Sequence, residues 1–437
     1  MNTLRVTVLV SALASVAGAW ATNGMFMEGY GPESLAQGGA STAYYNGTAG
    51  MMNNPATLQL GALGSRFDAA FGVLGPDVKS SMQGMPTATS SGTSYVMPAM
   101  GWVRKNDQMT WGVGIFGQGG MGTEYAADSF LAMGSGSGVR SELGVGRIIF
   151  PLALKINDQL SVGGSLDYTW SGLDMKMAAS GQQLGGMVSG MPSGNLGSAL
   201  PSLAAAPWAR IDFSNSNDFS GASSSTGWTG KLGAVFLVSP TLSLGISHHF
   251  KTNIGDMKTS ATGASISASG GFNDQGQILV RDFQMPSSTA FGLSFSASPA
   301  LNLVADVKRI GWQDVMKSFN MTYISAVMGG QVDFSMPQNW KDQTVVSLGG
   351  SYKVNELWLL RAGINHSSNP VPNDYVNPLF PAIVKQHFTL GINYRINDML
   401  GLDAAMSHAP KVTVASGAGL NISHSQTNYQ FLLSYRY

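Results

Sequence analysis

Between His387 and Ile396 every even position is large and apolar (Phe388, Leu390, Ile392, Tyr394, Ile396), and every odd one is polar, charged or glycine. A period of two puts alternate side chains on opposite faces of a β-strand, so this segment separates an apolar surface from a wet one. The pattern returns at Leu242–Ser247, at Leu301-Asn302-Leu303 and at Tyr429–Tyr437. Six compact turn signals punctuate the chain: Asn106-Asp107, Asn157-Asp158, Ser239-Pro240, Ser298-Pro299, Asn355-Glu356 and Asn397-Asp398. They stand roughly forty to eighty residues apart, enough for two strands and a long connection each time, against about 8–12 residues in a β-sandwich. Gly-, Ser- and Pro-rich connections fall between them, near 75–93, 127–138, 178–225, 256–276, 318–340, 367–384 and 412–424. Six short turns and seven long loops join fourteen strands, and an even count with short turns at one end describes an outer-membrane barrel. The expected fold is all-β, a fourteen-stranded antiparallel transmembrane β-barrel.

Composition agrees with a membrane location. Charged residues make up 11% of the chain, against about a quarter in soluble domains. Lys plus Arg and Asp plus Glu number 24 each, so no basic field points to nucleic acid. The absence of cysteine excludes thiolate metal ligands, cysteine nucleophiles and disulfides, and six scattered histidines lend a zinc site no support. No cofactor and no metal are expected. Catalysis has little support either, because no G-x-S-x-G elbow is present.

At the start of the chain, Arg5, the uncharged apolar run Val6–Val16 and Ala19-Trp20-Ala21 read as an export signal over residues 1–21, with Thr22 as the mature N-terminus. The apolar core is shorter than the about 20 residues of a membrane-spanning helix. Later, the uncharged tract Met177–Ala209 is interrupted by six glycines and three prolines, which bars a lipid-facing helix. Residues 22–63 have neither a helical stripe nor alternation. They hold Asn23-Gly24-Met25-Phe26, Gly29-Tyr30-Gly31-Pro32, Gly38-Gly39-Ala40 and Asn54-Pro55-Ala56, with Glu28 and Glu33 as their only charges. Such a stretch favours a compact irregular path that something else must enclose. Three units are therefore expected: a signal peptide (1–21), an N-terminal hatch or plug inside the lumen (22–63) and the barrel (64–437).

These hatch motifs resemble those of the FadL family of outer-membrane channels for long-chain fatty acids and other hydrophobic compounds. Gly120–Tyr125, Asp306–Trp312, Arg361-Ala362-Gly363 and Ser368–Pro372 are similar to that family too, so the resemblance spans the mature chain. It implies fourteen strands around a hatch, in agreement with the turn count. It also implies a kinked third strand that opens the wall sideways to lipid, and an external apolar groove formed by two long loops.

Candidate functional residues follow. Gly112–Gly117 matches G-x-G-x-x-G but lies in an alternating strand, where no helix opens to hold a phosphate. Just beyond it, Gly117, Gln118, Gly119 and Gly120 mark a bulge or bend. They are the expected lateral opening, the alternative being small residues that make room for the plug. The tract Met175–Trp208 has no charge between Lys176 and Arg210, and its Met175, Met177, Leu184, Met187, Met191, Leu203 and Trp208 suit apolar ligands of varied shape. The other reading is a loop packed over the barrel mouth. Strand parity turns Lys231, Lys308, Arg361, Arg395 and Arg436 inward together with Asp167 and Asp306; Lys231 or Arg361 is a candidate to hold a carboxylate head group, unless these charges simply pair. In the hatch, Thr22, Asn23, Gly24, Met25 and Phe26 are the expected mobile gate, and Asn54, Pro55 and Ala56 an anchoring turn. The expected function is passive uptake of fatty acids or related hydrophobic compounds across the bacterial outer membrane by a monomer set in lipid and lipopolysaccharide, with lateral release through the wall. Neutral aromatic or aliphatic hydrocarbons are the alternative cargo. From other classes, an adhesin or structural barrel and an outer-membrane hydrolase are carried as competing readings.

Overall fold

The computed structural model describes residues 23–215, 221–417 and 419–437. The expected signal peptide and Thr22 lie outside them. Among the described residues, twenty-three strands form one antiparallel sheet. They are β1 (Gly64–Ser81), β2 (Ala88–Thr89), β3 (Tyr95–Lys105), β4 (Met109–Tyr125), β5 (Val139–Lys155), β6 (Leu160–Ala179), β7 (Val188–Ser189) and β8 (Ala209–Phe213). Next come β9 (Ser223–Ser239), β10 (Leu242–His249), β11 (Asn253–Ile254), β12 (Met257–Lys258), β13 (Ala264–Ala268), β14 (Phe272–Arg281), β15 (Ser288–Ser296) and β16 (Leu301–Ile310). The last are β17 (Ser318–Ser325), β18 (Gln331–Pro337), β19 (Gln343–Lys353), β20 (Trp358–Ser367), β21 (Gln386–Arg395), β22 (Leu400–Ala415) and β23 (Asn421–Arg436).

Sequence alternation becomes alternation of burial. In β21, His387 and Thr389 are buried while Phe388, Leu390 and Ile392 face outward. In β23, Asn428, Gln430 and Ser434 turn in, and Tyr429, Phe431, Leu433 and Tyr435 turn out. All six expected turns join consecutive strands. Four are closed by asparagine: Asn106, Asn157, Asn355 and Asn397 each accept backbone N–H bonds from two and three residues further on, at 2.8–3.0 Å. A short polar side chain that mimics the next peptide fixes such a turn. Aromatic residues cluster at this end of the barrel. Trp102 meets Trp111 edge to face and donates to the Tyr437 hydroxyl at 3.1 Å, and Trp358 lies 4.4 Å from Tyr394. Amphipathic rings favour the membrane–water boundary.

The expectation of fourteen strands is corrected by the pairings, which close through eighteen. The circuit runs β1–β3–β4–β5–β6–β8–β13–β14–β12–β9–β10–β15–β16–β19–β20–β21–β22–β23 and back to β1. Turn counting treats every long connection as loop. Here the connections after β6 and β10 hold β8, β12, β13 and β14, whose backbone groups pair to carry the sheet past the loop boundary. Below this extension β6 also meets β9 directly, from Leu160↔Phe236 to Leu173↔Ser223. Helices were not expected, yet Gly181–Met187 and Gly194–Ala205 fold over this end. The first opens on a capping box in which Ser180 and Gln183 satisfy each other's backbone.

Residues 23–63 touch strands on all sides of the circuit. Ser41 N, Thr42 N and Thr42 Oγ1 donate to Asp306 on β16 at 2.8, 3.0 and 2.6 Å. Thr48 donates to Asp68 on β1, Gly38 N to Thr389 on β21, Tyr30 to the Gln118 carbonyl on β4, and Asn54 Nδ2 to the Ala234 carbonyl on β9. Glu33 lies 3.1 Å from Arg361 and 3.7 Å from Arg66, which ion-pair with Asp403 and Asp68 in turn. Asn54 caps a 3-10 turn over Pro55–Leu60, with Pro55 in its first position and Oδ1 accepting from Ala56 N at 3.1 Å.

Candidate functional site at a break in the barrel wall

The β3–β4 ladder begins at the Asn106 turn and stops at Ala99↔Phe116. Pro98, which has no N–H to give a neighbour, is the next residue along β3. On β4 the register with β5 shifts between Gly117 and Gly119, a β-bulge. Its extra residue, Gln118, turns inward and is buried; Tyr30 donates to its carbonyl at 2.5 Å and Arg147 Nε to its Oε1 at 2.6 Å. Beyond the bulge β4 takes a new partner. Gly119 bridges Phe26, and Gly120 N donates to the Met25 carbonyl at 3.1 Å. Only glycine fits at 119, where a Cβ would stand 2.0 Å from the Met25 oxygen. Of the expected gate (Thr22–Phe26), Met25 and Phe26 thus meet Gly119 and Gly120 of the expected lateral opening (Gly117–Gly120), beside the point where the β3–β4 ladder stops.

Two apolar spaces lie on either side of it. The outer cavity, about 150 Å³, is open toward the break and is lined by Met25, Phe26, Val96, Met97, Met121 and Leu143, with Glu28, Glu142, His424 and Gln426 among its polar members. The inner one, about 30 Å³, is lined by Met25, Leu143, Met175, Phe283, Trp340 and Phe380 among others. Met25 and Leu143 line both and are themselves buried, so they form the partition. An aromatic ladder backs this segment: Phe26 is 5.4 Å from Trp312, which is 5.0 Å from Trp340. Gly24 adopts a left-handed φ of 65°, and a Cβ there would overlap the Trp312 ring at 2.5 Å.

Of the residues singled out by sequence, Met175 and Met177 line the inner space. Leu184 and Leu203 are buried in the hydrophobic cluster around it, Met187 packs against that cluster, Trp208 is half-buried, and Met191 is fully displayed to solvent. Lys231 and Arg361 lie elsewhere and are already paired. Lys231 shares Asp167 with Arg147, and Arg361 lies 2.7 Å from Asp403 besides Glu33. Arg395 pairs with Asp398 beside its turn. Sequence reasoning missed Phe283, Met316, Phe319, Met336, Trp340 and Phe380. For Met316, Phe319, Met336 and Trp340 the signal was the density of Met, Phe and Trp between 312 and 340, where 318–340 was assigned to loop; Phe283 and Phe380 carried none. Among the described residues no group of His, Asp and Glu is arranged to hold a metal ion.

The model of a family described as "Outer membrane protein transport protein (OMPP1/FadL/TodX)" matches residues 6–434. The chain is similar to the toluene transporter TodX of P. putida, at 32% identity over 94% of this chain and 99% of that one, with a TM-score of 0.84. It is also similar to the toluene transporter TbuX of Ralstonia pickettii, at 30% identity over 94% and 99%, with a TM-score of 0.80. A long-chain fatty acid transport protein of Escherichia coli is 22% identical over 81% of this chain and 79% of its own length. The chain spans 45% of an uncharacterized protein of Chlorobium limicola, at 36% identity.

Proposed function

Because this chain belongs to the OMPP1/FadL/TodX family of outer membrane transport proteins, we infer that it is a passive outer-membrane channel for hydrophobic compounds and propose small neutral hydrocarbons as its cargo. One observation carries this reading: the wall break between β3 and β4 opens on a cavity that Met25 and Leu143 alone divide from a Met- and Phe-lined inner space. Cargo enters from the outer loops, rests in the inner space, passes when the Met25 segment moves, and leaves sideways into lipid. A site of this kind holds its ligand through apolar burial and needs no energy source. Residues 22–63 act as the hatch, with 22–26 as the element that moves; cargo biases it only through contacts that differ between its two arrangements. The protein works as a monomer within lipid and lipopolysaccharide, a layer that apolar solutes cross poorly unaided.

Fatty acids are the second reading, favoured by the E. coli relative. Against it, Lys231 and Arg361 are held by acids, and the outer cavity carries Glu28 on its wall, which repels a carboxylate. An adhesin or hydrolase has no use for a cavity that opens into lipid. The deciding measurement is saturable binding and uptake by cells that lack other such channels, comparing labelled toluene with labelled oleate. Toluene taken up and oleate excluded is the expected result. Uptake of neither would sink the transport reading, and preference for oleate would reverse the assignment of cargo.

A further inference from the structure

One end of the outer cavity is polar in a specific way. His424, on β23, is buried, and its Nδ1 lies 2.9 Å from the Pro381 carbonyl. A carbonyl only accepts, so Nδ1 carries the proton, and in the neutral ring Nε2 is an acceptor. That Nε2 is buried and has no hydrogen-bond partner. Glu28, also buried on this wall, receives Ser407 Oγ and Asn428 Nδ2 on one oxygen, Oε1, and its carboxylate also takes its own backbone N–H; a carboxylate has about four acceptor positions, so capacity is left for a further donor. His387, within electrostatic reach of both Glu28 and His424, has both ring nitrogens buried without a partner. Two acceptors are thus gathered where an apolar cavity meets the gate, and buried polar groups of this kind ordinarily find partners.

We propose that His424 Nε2 and Glu28 form a hydrogen-bond-accepting subsite that takes hydrophobic molecules carrying one hydroxyl donor, a phenol-like class, in the outer cavity. The apolar body of such a molecule lies along Val96, Met97 and Met121, and its O–H points at the acceptors. Molecules with an anionic head are turned away by Glu28, and ethers of the same shape gain nothing there. The inference rests on the channel reading and narrows its cargo.

The test uses the purified full-length protein in detergent and calorimetric titration with toluene, p-cresol and 4-methylanisole. The last two differ by replacement of the hydroxyl hydrogen with a methyl. Wild-type protein is expected to bind p-cresol about fivefold more tightly than 4-methylanisole, the scale of one neutral hydrogen bond. His424→Phe keeps the ring's bulk and should erase that preference, read as the ratio of p-cresol to 4-methylanisole affinity within the variant itself. Glu28→Gln should reduce the preference by at least half. Toluene binding without any p-cresol preference in the wild type overturns the subsite and leaves the channel reading standing. A preference that survives in both variants overturns it as well. Binding of none of the three ligands brings down the channel reading and the subsite together. The wild-type comparison needs no variant to fold.

Discussion

Asp306 shows how one side chain holds the enclosed segment. It is buried and receives two backbone N–H groups and one hydroxyl from Ser41 and Thr42. Asp306→Ala orphans those donors in a site that water reaches poorly, at a cost of about 3 kcal/mol or more. The expected outcome is a barrel that still migrates as a folded, heat-modifiable band while residues 23–63 become sensitive to protease. Arg361 makes the complementary case. Arg361→Met leaves Glu33 and Asp403 buried with less compensation, a loss of about 3–5 kcal/mol in the manner of a broken buried pair. If its role is that of a strut, the variant lowers thermal stability and leaves the ratio of oleate to toluene uptake unchanged. A selective fall in oleate uptake would restore the head-group role considered from sequence.

At the scale of elements, β4 is where residues 25–26 meet the wall. Gly119→Val sets side-chain atoms against the Met25 carbonyl, and Gly120→Val sets them against the Leu143 carbonyl, where a Cβ alone would approach to 2.0 and 2.1 Å. The double variant should detach residues 25–26 from β4 and lower uptake by about tenfold, the scale of a lost 1–2 kcal/mol alignment, with the barrel still folded; undiminished uptake removes the lateral route. The outer extension has its own clasp. Partial burial works to raise the pKa of Asp256, but Arg281 Nη1 at 2.8 Å and the Asp282 N–H at 3.1 Å outweigh it and hold the carboxyl below its ordinary 3.8. A depressed pKa contributes stability above the unfolded value that is lost as pH falls through the folded one. The protection of amides over residues 253–285, measured relative to their intrinsic exchange rates at each pH, should therefore fall below pH 3.8 and stay level between pH 5 and 8. How far such elements were legible depended on their source of order. Alternation and Asn turns are local, so β21, β23 and the six turns could be read directly. The pairing of β8 with β13 and of β12 with β14 arises between segments more than fifteen residues apart or within polar runs, with no periodic signature. The Ser180–Gln183 box was readable and passed over because its glycines argued for loop. Gln118 was found by its glycine neighbours, whereas His424 carried no signal until β23 placed it on the cavity wall that residue 28 also lines.

For the whole molecule, the first strand of the circuit pairs with the last, from Arg66↔Arg436 to Ser81↔Asn421. On the passive-channel reading, dissipating the proton gradient should leave the initial rate of toluene uptake unchanged; a sharp drop would require a coupled partner. The ring has a second consequence, one for its seam. The enclosed segment bonds both to Asp68 on β1 and, through Gly29, to Gln430 on β23, the two strands whose pairing closes the ring. It therefore clasps the seam from within, and removing these contacts should appear as slow or failed closure during biogenesis, read as delayed appearance of the heat-modifiable band.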